Sequence, residues 1–163
     1  MTALITGISG QDGSFLTELL LSKGYKVHGL IRRTSNAELP NISHLLDQIT
    51  LHPADMTDSG SIHAAIEKSN PDEIYNLAGM SQVRWSYDVP SMTMDVNCMG
   101  LLRIIESVRS LKLDCKIYQA CSSEMFGKVQ EVPQTETTPF YPRSPYGVSK
   151  AAAYYMARVY RES

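Results

Sequence analysis

Three cysteines in 163 residues, Cys98, Cys115 and Cys121, are too few and too far apart for a disulfide framework or a metal cluster. They suit a reducing compartment. His28, His44, His52 and His63 are equally scattered, so no metal site is expected. No apolar run approaches membrane-spanning length, and the chain starts directly on a strand-like segment. Neither a membrane anchor nor a signal peptide is expected, and a cytoplasmic location follows as an expectation. Neither sign of charge dominates, with 15 Lys and Arg against 17 Asp and Glu, and no basic run is present, which argues against nucleic acid as a partner. Repeats, low-complexity tracts and interdomain linkers are missing too, so residues 1–163 are expected to form a single dinucleotide-binding domain. Asn41, Ile42 and Ser43 match a glycosylation acceptor, but such triplets arise by chance.

What the chain does carry begins at its first residues. An apolar run, residues 3–6, has the composition of a buried strand, and Gly7, Gly10 and Gly13 follow at once. Phe15, Leu16, Leu19 and Leu20 then recur at helical spacing before Gly24, which predicts a helix. Glycines between such a strand and helix let the backbone turn tightly and approach a pyrophosphate at the helix N-terminus. The spacing differs from the common Gly-x-Gly-x-x-Gly, and a ligand-free glycine turn is the competing explanation. The surrounding strand and helix pattern favours the nucleotide.

The second strand, Lys26–Ile31, ends at Arg32 and Arg33, where a dinucleotide fold usually sets an acidic residue against the ribose 2′-hydroxyl. Two guanidinium groups there suit a 2′-phosphate, and so NADP rather than NAD; solvated surface arginines are the alternative. A loop over residues 34–41 leads to a weak helix near 44–47 and a strand near 49–52. Asp55, just beyond that strand, is placed to hydrogen-bond an adenine amino group, and Thr57 or Asp58 to cap the helix carrying Ile62, Ala65 and Ile66. A fourth strand over 73–77 runs into Ala78, Gly79, Met80 and Ser81, a small-residue exit that lets backbone lie against a cofactor. A long helix over about 90–111 precedes a fifth strand at 116–120. This alternation predicts an α/β, Rossmann-like, doubly wound parallel sheet with ligands at the strand carboxyl ends.

Chemistry is then expected after the fifth strand, where Ser122, Ser123 and Glu124 stand. Further on, Ser144 and Pro145 have the order of an N-cap and first helical residue. Tyr146 and Lys150, four apart, share one face of that helix. A tyrosine with a pKa of about 10 is a poor base at neutral pH. A neighbouring ammonium and a cationic nicotinamide ring stabilise its phenolate, so that it accepts a proton from a substrate hydroxyl as hydride leaves the carbon. Tyr and Lys at this spacing are otherwise an ordinary surface pair; their position after the Ser-Ser-Glu segment favours the catalytic reading.

Taken together, these motifs resemble the extended short-chain dehydrogenase/reductase family and, within it, the GDP-mannose 4,6-dehydratases. The resemblance spans essentially the whole chain. Its most specific carriers are the Gln11, Asp12, Gly13, Ser14 run and residues 127–133 with 136–147; Gly29 to Arg33, residues 74–77 and Ser122 to Glu124 add to them. The resemblance implies an internal redox cycle on GDP-mannose with NADP. Ser122 polarises the C4 oxygen, Tyr146 takes the C4 hydroxyl proton, and Glu124 removes the C5 proton and helps expel the C6 hydroxyl. Lys150 anchors the nicotinamide ribose. Cofactor contacts implied by position are Gly7, Gly10, Gln11, Asp12, Gly13, Arg32, Arg33, Ser35, Asp55, Met56, Leu77, Ala78, Gly79, Ser81 and Lys150. Relatives bridge subunits with the loop after the paired arginines, implying a homo-oligomer, a tetramer. Departures from the family pattern are Ser122 for a usual threonine, Ala78-Gly79-Met80 for Gly-Ala-Gln, Met92 for a tyrosine and Met56 for a leucine. Such enzymes also use further strands and a smaller carboxyl-terminal domain, so the chain is expected to be the cofactor-binding portion of a longer enzyme. The alternatives are a related nucleotide-sugar dehydratase or decarboxylase and a noncatalytic NADP-binding module.

Overall fold

The computed structural model describes residues 1–33 and 38–163; Ser35 lies outside the described residues. Five strands, β1 (Thr2–Thr6), β2 (Lys26–Ile31), β3 (Thr50–Pro53), β4 (Glu73–Asn76) and β5 (Lys116–Gln119), form one parallel sheet in the order β3-β2-β1-β4-β5. This is the expected Rossmann-like doubly wound arrangement. Strand order reverses between β1 and β4, the topological switch point at which such sheets bind ligands beyond their carboxyl ends. Buried parallel strands need apolar residues in succession, and Ala3, Leu4 and Ile5 are accordingly inaccessible to solvent.

Helices α1 (Gln11–Ser22), α2 (Ser59–Ser69), α3 (Val83–Asp88), α4 (Pro90–Met94), α5 (Gly100–Ser110) and α6 (Pro145–Glu162) alternate with or follow the strands. Helix α1 forms where its periodicity predicts, but a different face is buried. Gly13, Ser14, Thr17 and Leu20 face inward, while Phe15 and Leu19 are 62% and 51% exposed. Small side chains win the inner face because the helix must lie close to the glycine turn: a Cβ on Gly13 would come within 2.4 Å of the Gly7 carbonyl oxygen. The helix closes with paired bonds from Gly24 to Leu21 and Tyr25 to Leu20, the Schellman arrangement with Gly24 in the left-handed region.

The weak helix expected at 44–47 is a single 3-10 turn, Ser43–Leu45. The long helix expected over 90–111 is interrupted by a π-helical segment, Asp95–Met99, between α4 and α5. Asp58 caps α2, accepting from the Gly60 and Ser61 amides, and Ser144 caps α6, accepting from the Gly147 amide at 3.0 Å with Pro145 at the first helical position.

The chain divides into two compact units. The first, residues 1–78 and 103–120, holds the whole sheet, with Ala3, Ile5, Ile8, Leu20, Val27 and Ile42 in its core. The second, residues 79–102 and 121–163, holds α3, α4, the π segment and α6.

Candidate functional site

In the first unit the end of β1 meets the end of β4. Gly7 has φ of +69°, and a Cβ there would lie 2.9 Å from the Ala78 nitrogen and 3.1 Å from the Leu77 carbonyl carbon. Only glycine fits between the two strand exits. The approach is held by a chain of buried polar groups. The Ala78 amide donates to Thr6 Oγ1 (2.9 Å), the Thr6 hydroxyl to Asn76 Oδ1 (2.6 Å), and Asn76 Nδ2 to Gln119 Oε1 (2.6 Å). Three strand ends are thereby tied in register at the switch point.

Helix α1 starts at Gly10 with no side-chain cap, whereas α2 and α6 have Asp58 and Ser144. Its first-turn amides are left for an anion. Gln11 and Asp12 are exposed beside them, and Gly13 is buried against the turn. Just past the carboxyl ends of β2 and β3 a cavity of about 320 Å³ is lined by Arg32, Arg33, Pro53, Asp55, Asp58 and Ser61. Hydrogen bonds from the Thr57 amide and then its hydroxyl hold the Asp55 carboxyl below the usual range against partial desolvation, with Arg32 adding a smaller pull. The carboxylate is therefore an acceptor at neutral pH. Met56 is buried, and Leu77 and Ala78 are half-buried.

The second unit gathers the four residues singled out for chemistry. Ser122 Oγ accepts from the Glu124 amide at 3.2 Å, which starts the 3-10 turn Ser123–Met125 and fixes Ser122 and Glu124 together. The first turn of α6 packs directly on that turn: a Cβ on Gly147 would meet the Glu124 carbonyl oxygen at 2.5 Å. Tyr146 is 8% exposed and Lys150 6%. The Lys150 ammonium lies 5.9 Å from the Tyr146 ring centroid, a cation over an aromatic face. Burial lowers the Lys150 pKa, with Cys121 opposing that shift weakly. A surface pair would be neither buried nor shifted in this way. Gly79 and Ser81 are exposed, and a Cβ at Gly79 would lie 3.8 Å from Lys150 Nζ.

Asn97 is a part of this half that the sequence reading missed. It is 1% exposed and sits in the π segment, where its Oδ1 accepts from the Met80 amide (2.8 Å) and its Nδ2 donates to the Met80 carbonyl (3.2 Å) and Ser149 Oγ (2.9 Å). The Ser149 hydroxyl in turn donates to the Tyr146 carbonyl at 2.7 Å. One side-chain amide thus joins the segment after β4 to the Tyr146 helix. A signal was available: an asparagine flanked at four-residue spacing by Thr93 and Leu101, both inaccessible to solvent, is polar on a buried helical stripe. An edge-to-face cluster of Phe126, Phe140, Tyr154 and Tyr155, with centroids 5.1–5.9 Å apart, anchors the irregular segment before α6.

Among the described residues there is no cluster of His, Cys, Asp or Glu suited to a metal ion, and no helix is long and apolar enough to cross a membrane. A family model described as GDP-mannose 4,6 dehydratase matches residues 4–163. The chain is 52% identical to GDP-mannose 4,6 dehydratase 2 of Arabidopsis thaliana and 49% identical to GDP-mannose 4,6 dehydratase of Dictyostelium discoideum, in each case over 99% of its own length. It covers 46% and 48% of those proteins, and so spans about half the length of the curated relatives it matches. Among solved structures it is similar to Thermus thermophilus UDP-glucose 4-epimerase in complex with NAD, with a TM-score of 0.86 and 27% identity over 99% of this chain and 51% of that one.

Proposed function

Because this chain belongs to the GDP-mannose 4,6-dehydratase family, we propose that it supplies the cofactor site and proton-transfer residues of an NADP-dependent hydro-lyase. The reaction is conversion of GDP-mannose to GDP-4-dehydro-6-deoxymannose with loss of water. The observation that carries this reading is the buried Tyr146 and Lys150 pair in the same compact unit as Ser122 and Glu124.

The residues present fit NADP. The uncapped α1 N-terminus and the closely approached Gly7 suit a pyrophosphate. Arg32 and Arg33 suit the 2′-phosphate, and the Asp55 carboxylate suits the adenine amino group. Gly10, Gln11, Asp12, Gly13, Met56, Leu77, Ala78, Gly79 and Ser81 complete the proposed contacts, with Ser35 assigned by resemblance alone. When bound, NADP supplies a hydride acceptor that gives the same hydride back.

Ser122, whose oxygen already accepts from the Glu124 amide, donates a hydrogen bond from its hydroxyl to the sugar C4 oxygen and polarises it. Tyr146 takes the C4 hydroxyl proton as the carbonyl forms. Lys150 holds a positive charge beside the phenol ring and lowers the cost of the phenolate. The resulting 4-keto group acidifies the C5 proton, which the Glu124 carboxylate removes. Glu124 then returns that proton to the C6 hydroxyl, which leaves as water, and the proton held by Tyr146 goes to C5 to complete the product. A homo-oligomer in the reducing cytoplasm fits the family pattern and the three free cysteines.

The test is the mass of the sugar after incubation of the protein carrying this chain with GDP-mannose and a catalytic amount of NADP. Loss of one water is expected, with Glu124→Gln slowing it by roughly 10²–10⁴-fold. An unchanged sugar despite bound NADP would contradict the assignment and turn attention to another nucleotide sugar.

A further inference from the structure

Arg103 lies on α5, and its Nη1 donates a 2.9 Å hydrogen bond to the carbonyl of Met56. Met56 stands in the tight turn between β3 and α2. Other hydrogen bonds tie the turn to the end of β2, to the start of α2 and to itself. The Ala54 amide donates to the Ile31 carbonyl (2.9 Å), the Asp55 amide to Ser61 Oγ (3.2 Å), the Thr57 amide and hydroxyl to the Asp55 carboxylate, and the Asp58 amide to the Asp55 carbonyl (2.9 Å). The bond from Arg103 ties the turn to a helix 47 residues further along the chain. Inward movement of the turn is limited by the buried Met56 side chain, and outward movement breaks the Arg103 bond.

The same turn supplies Asp55 and Asp58 to the cavity lined by Arg32 and Arg33. Arg103 also bears on it electrostatically. Hydrogen bonds from Ser61 and then Gly60 hold the Asp58 carboxyl below its usual range, and Arg103 adds a weaker Coulombic pull.

We infer that Arg103 is a positioning residue for the adenosine end of the dinucleotide, acting through the Met56 carbonyl to set where Asp55 meets the adenine; the inference rests on the cofactor reading above. Its loss loosens the turn and weakens every adenosine ligand alike. Loss of Arg32 removes a charge from the cavity wall and weakens only ligands that carry a 2′-phosphate. The two kinds of arginine therefore separate by ligand.

The test is calorimetric titration of the wild-type chain, Arg103→Ala, Arg103→Gln, Arg103→Lys and Arg32→Ala with 5′-ADP and 2′,5′-ADP, with amide exchange followed at residues 56–58. Arg103→Ala is expected to weaken both nucleotides roughly tenfold, leaving their ratio unchanged, and to speed exchange in the turn. Arg103→Gln and Arg103→Lys, which keep a donor for the Met56 carbonyl, are expected to recover most of the affinity. Arg32→Ala is expected to weaken 2′,5′-ADP alone. Wild-type affinity for both nucleotides in Arg103→Ala would overturn the inference, as would a loss confined to 2′,5′-ADP. Failure of the wild-type chain to bind either nucleotide would overturn the cofactor reading itself.

Discussion

Lys150 holds an ammonium where burial disfavours charge, so the feature that suits its proposed role costs the fold. The sign follows from linkage. Its folded pKa lies below the ordinary lysine value of 10.5, so between those two values the unfolded chain binds the proton more tightly and stability rises with pH; below the folded value the full cost persists. Lys150→Met is therefore expected to melt no lower than wild type at pH 7, with its advantage shrinking as pH is raised toward 10.5, while dehydration falls by roughly 10²-fold or more. Thermal melts across that pH range check the first part and product formation the second. The nearness of Tyr146 to Lys150 and of Ser122 to Glu124 was legible in the sequence because their spacings are local, as was Ser144 as a cap. Asn97 and Arg103 were not. Their partners, Met80, Ser149 and Met56, are far away in sequence, and no local pattern announces such a bond.

Adjacent strands β2 and β3 carry a pair of stacked imidazoles, His28 Nδ1 and His52 Nε2, 2.8 Å apart, with His28 Nε2 buried and unpartnered among the described residues. Desolvation lowers both pKa values; His52 and Lys26 add to the effect at His28, and Lys68 adds to it at His52. A base whose folded pKa is depressed contributes stability that is intact above the unfolded value of 6.5 and lost as pH falls through it. His28→Leu is expected to flatten the fall in melting temperature between pH 7 and pH 5, and an equally steep fall would show that acid sensitivity resides elsewhere. A second element-level device is the contact of α6 with the turn after β5. Gly147→Ala brings a methyl within 2.5 Å of the Glu124 carbonyl oxygen, an overpacking expected to cost about 1–3 kcal/mol and to slow dehydration. Val148→Ala, at a residue 46% exposed, is expected to change the melt little. Strand β2 formed where the sequence reading set it because apolar runs and turn residues bound strands locally. The inner face of α1 was not legible: apolar periodicity marks Phe15 and Leu19, whereas close approach to the Gly7 carbonyl selects Gly13 and Thr17. The π segment escaped as well; it carries Asn97, whose bond to Met80 no local composition announces.

At the scale of the molecule, most of the nucleotide candidates sit at strand exits of the sheet-bearing unit, ordered β3-β2-β1-β4-β5, while Gly79, Ser81 and the residues proposed for proton transfer lie in the other. The doubly wound sheet was legible from the alternation of strands and helices alone, whereas the division into two units was not, because it is a property of contacts rather than of linkers. The central claim is that one hydride leaves the sugar and returns to it while Tyr146 and Glu124 move the protons. GDP-mannose carrying deuterium at C4, incubated with the protein and unlabelled NADP, tests it most directly by nuclear magnetic resonance of the product. The expected result is dehydrated sugar with the deuterium at C6 and no net accumulation of reduced cofactor. A dehydrated product without deuterium at C6, or a 4-keto sugar that keeps its C6 hydroxyl as reduced cofactor accumulates, would contradict it.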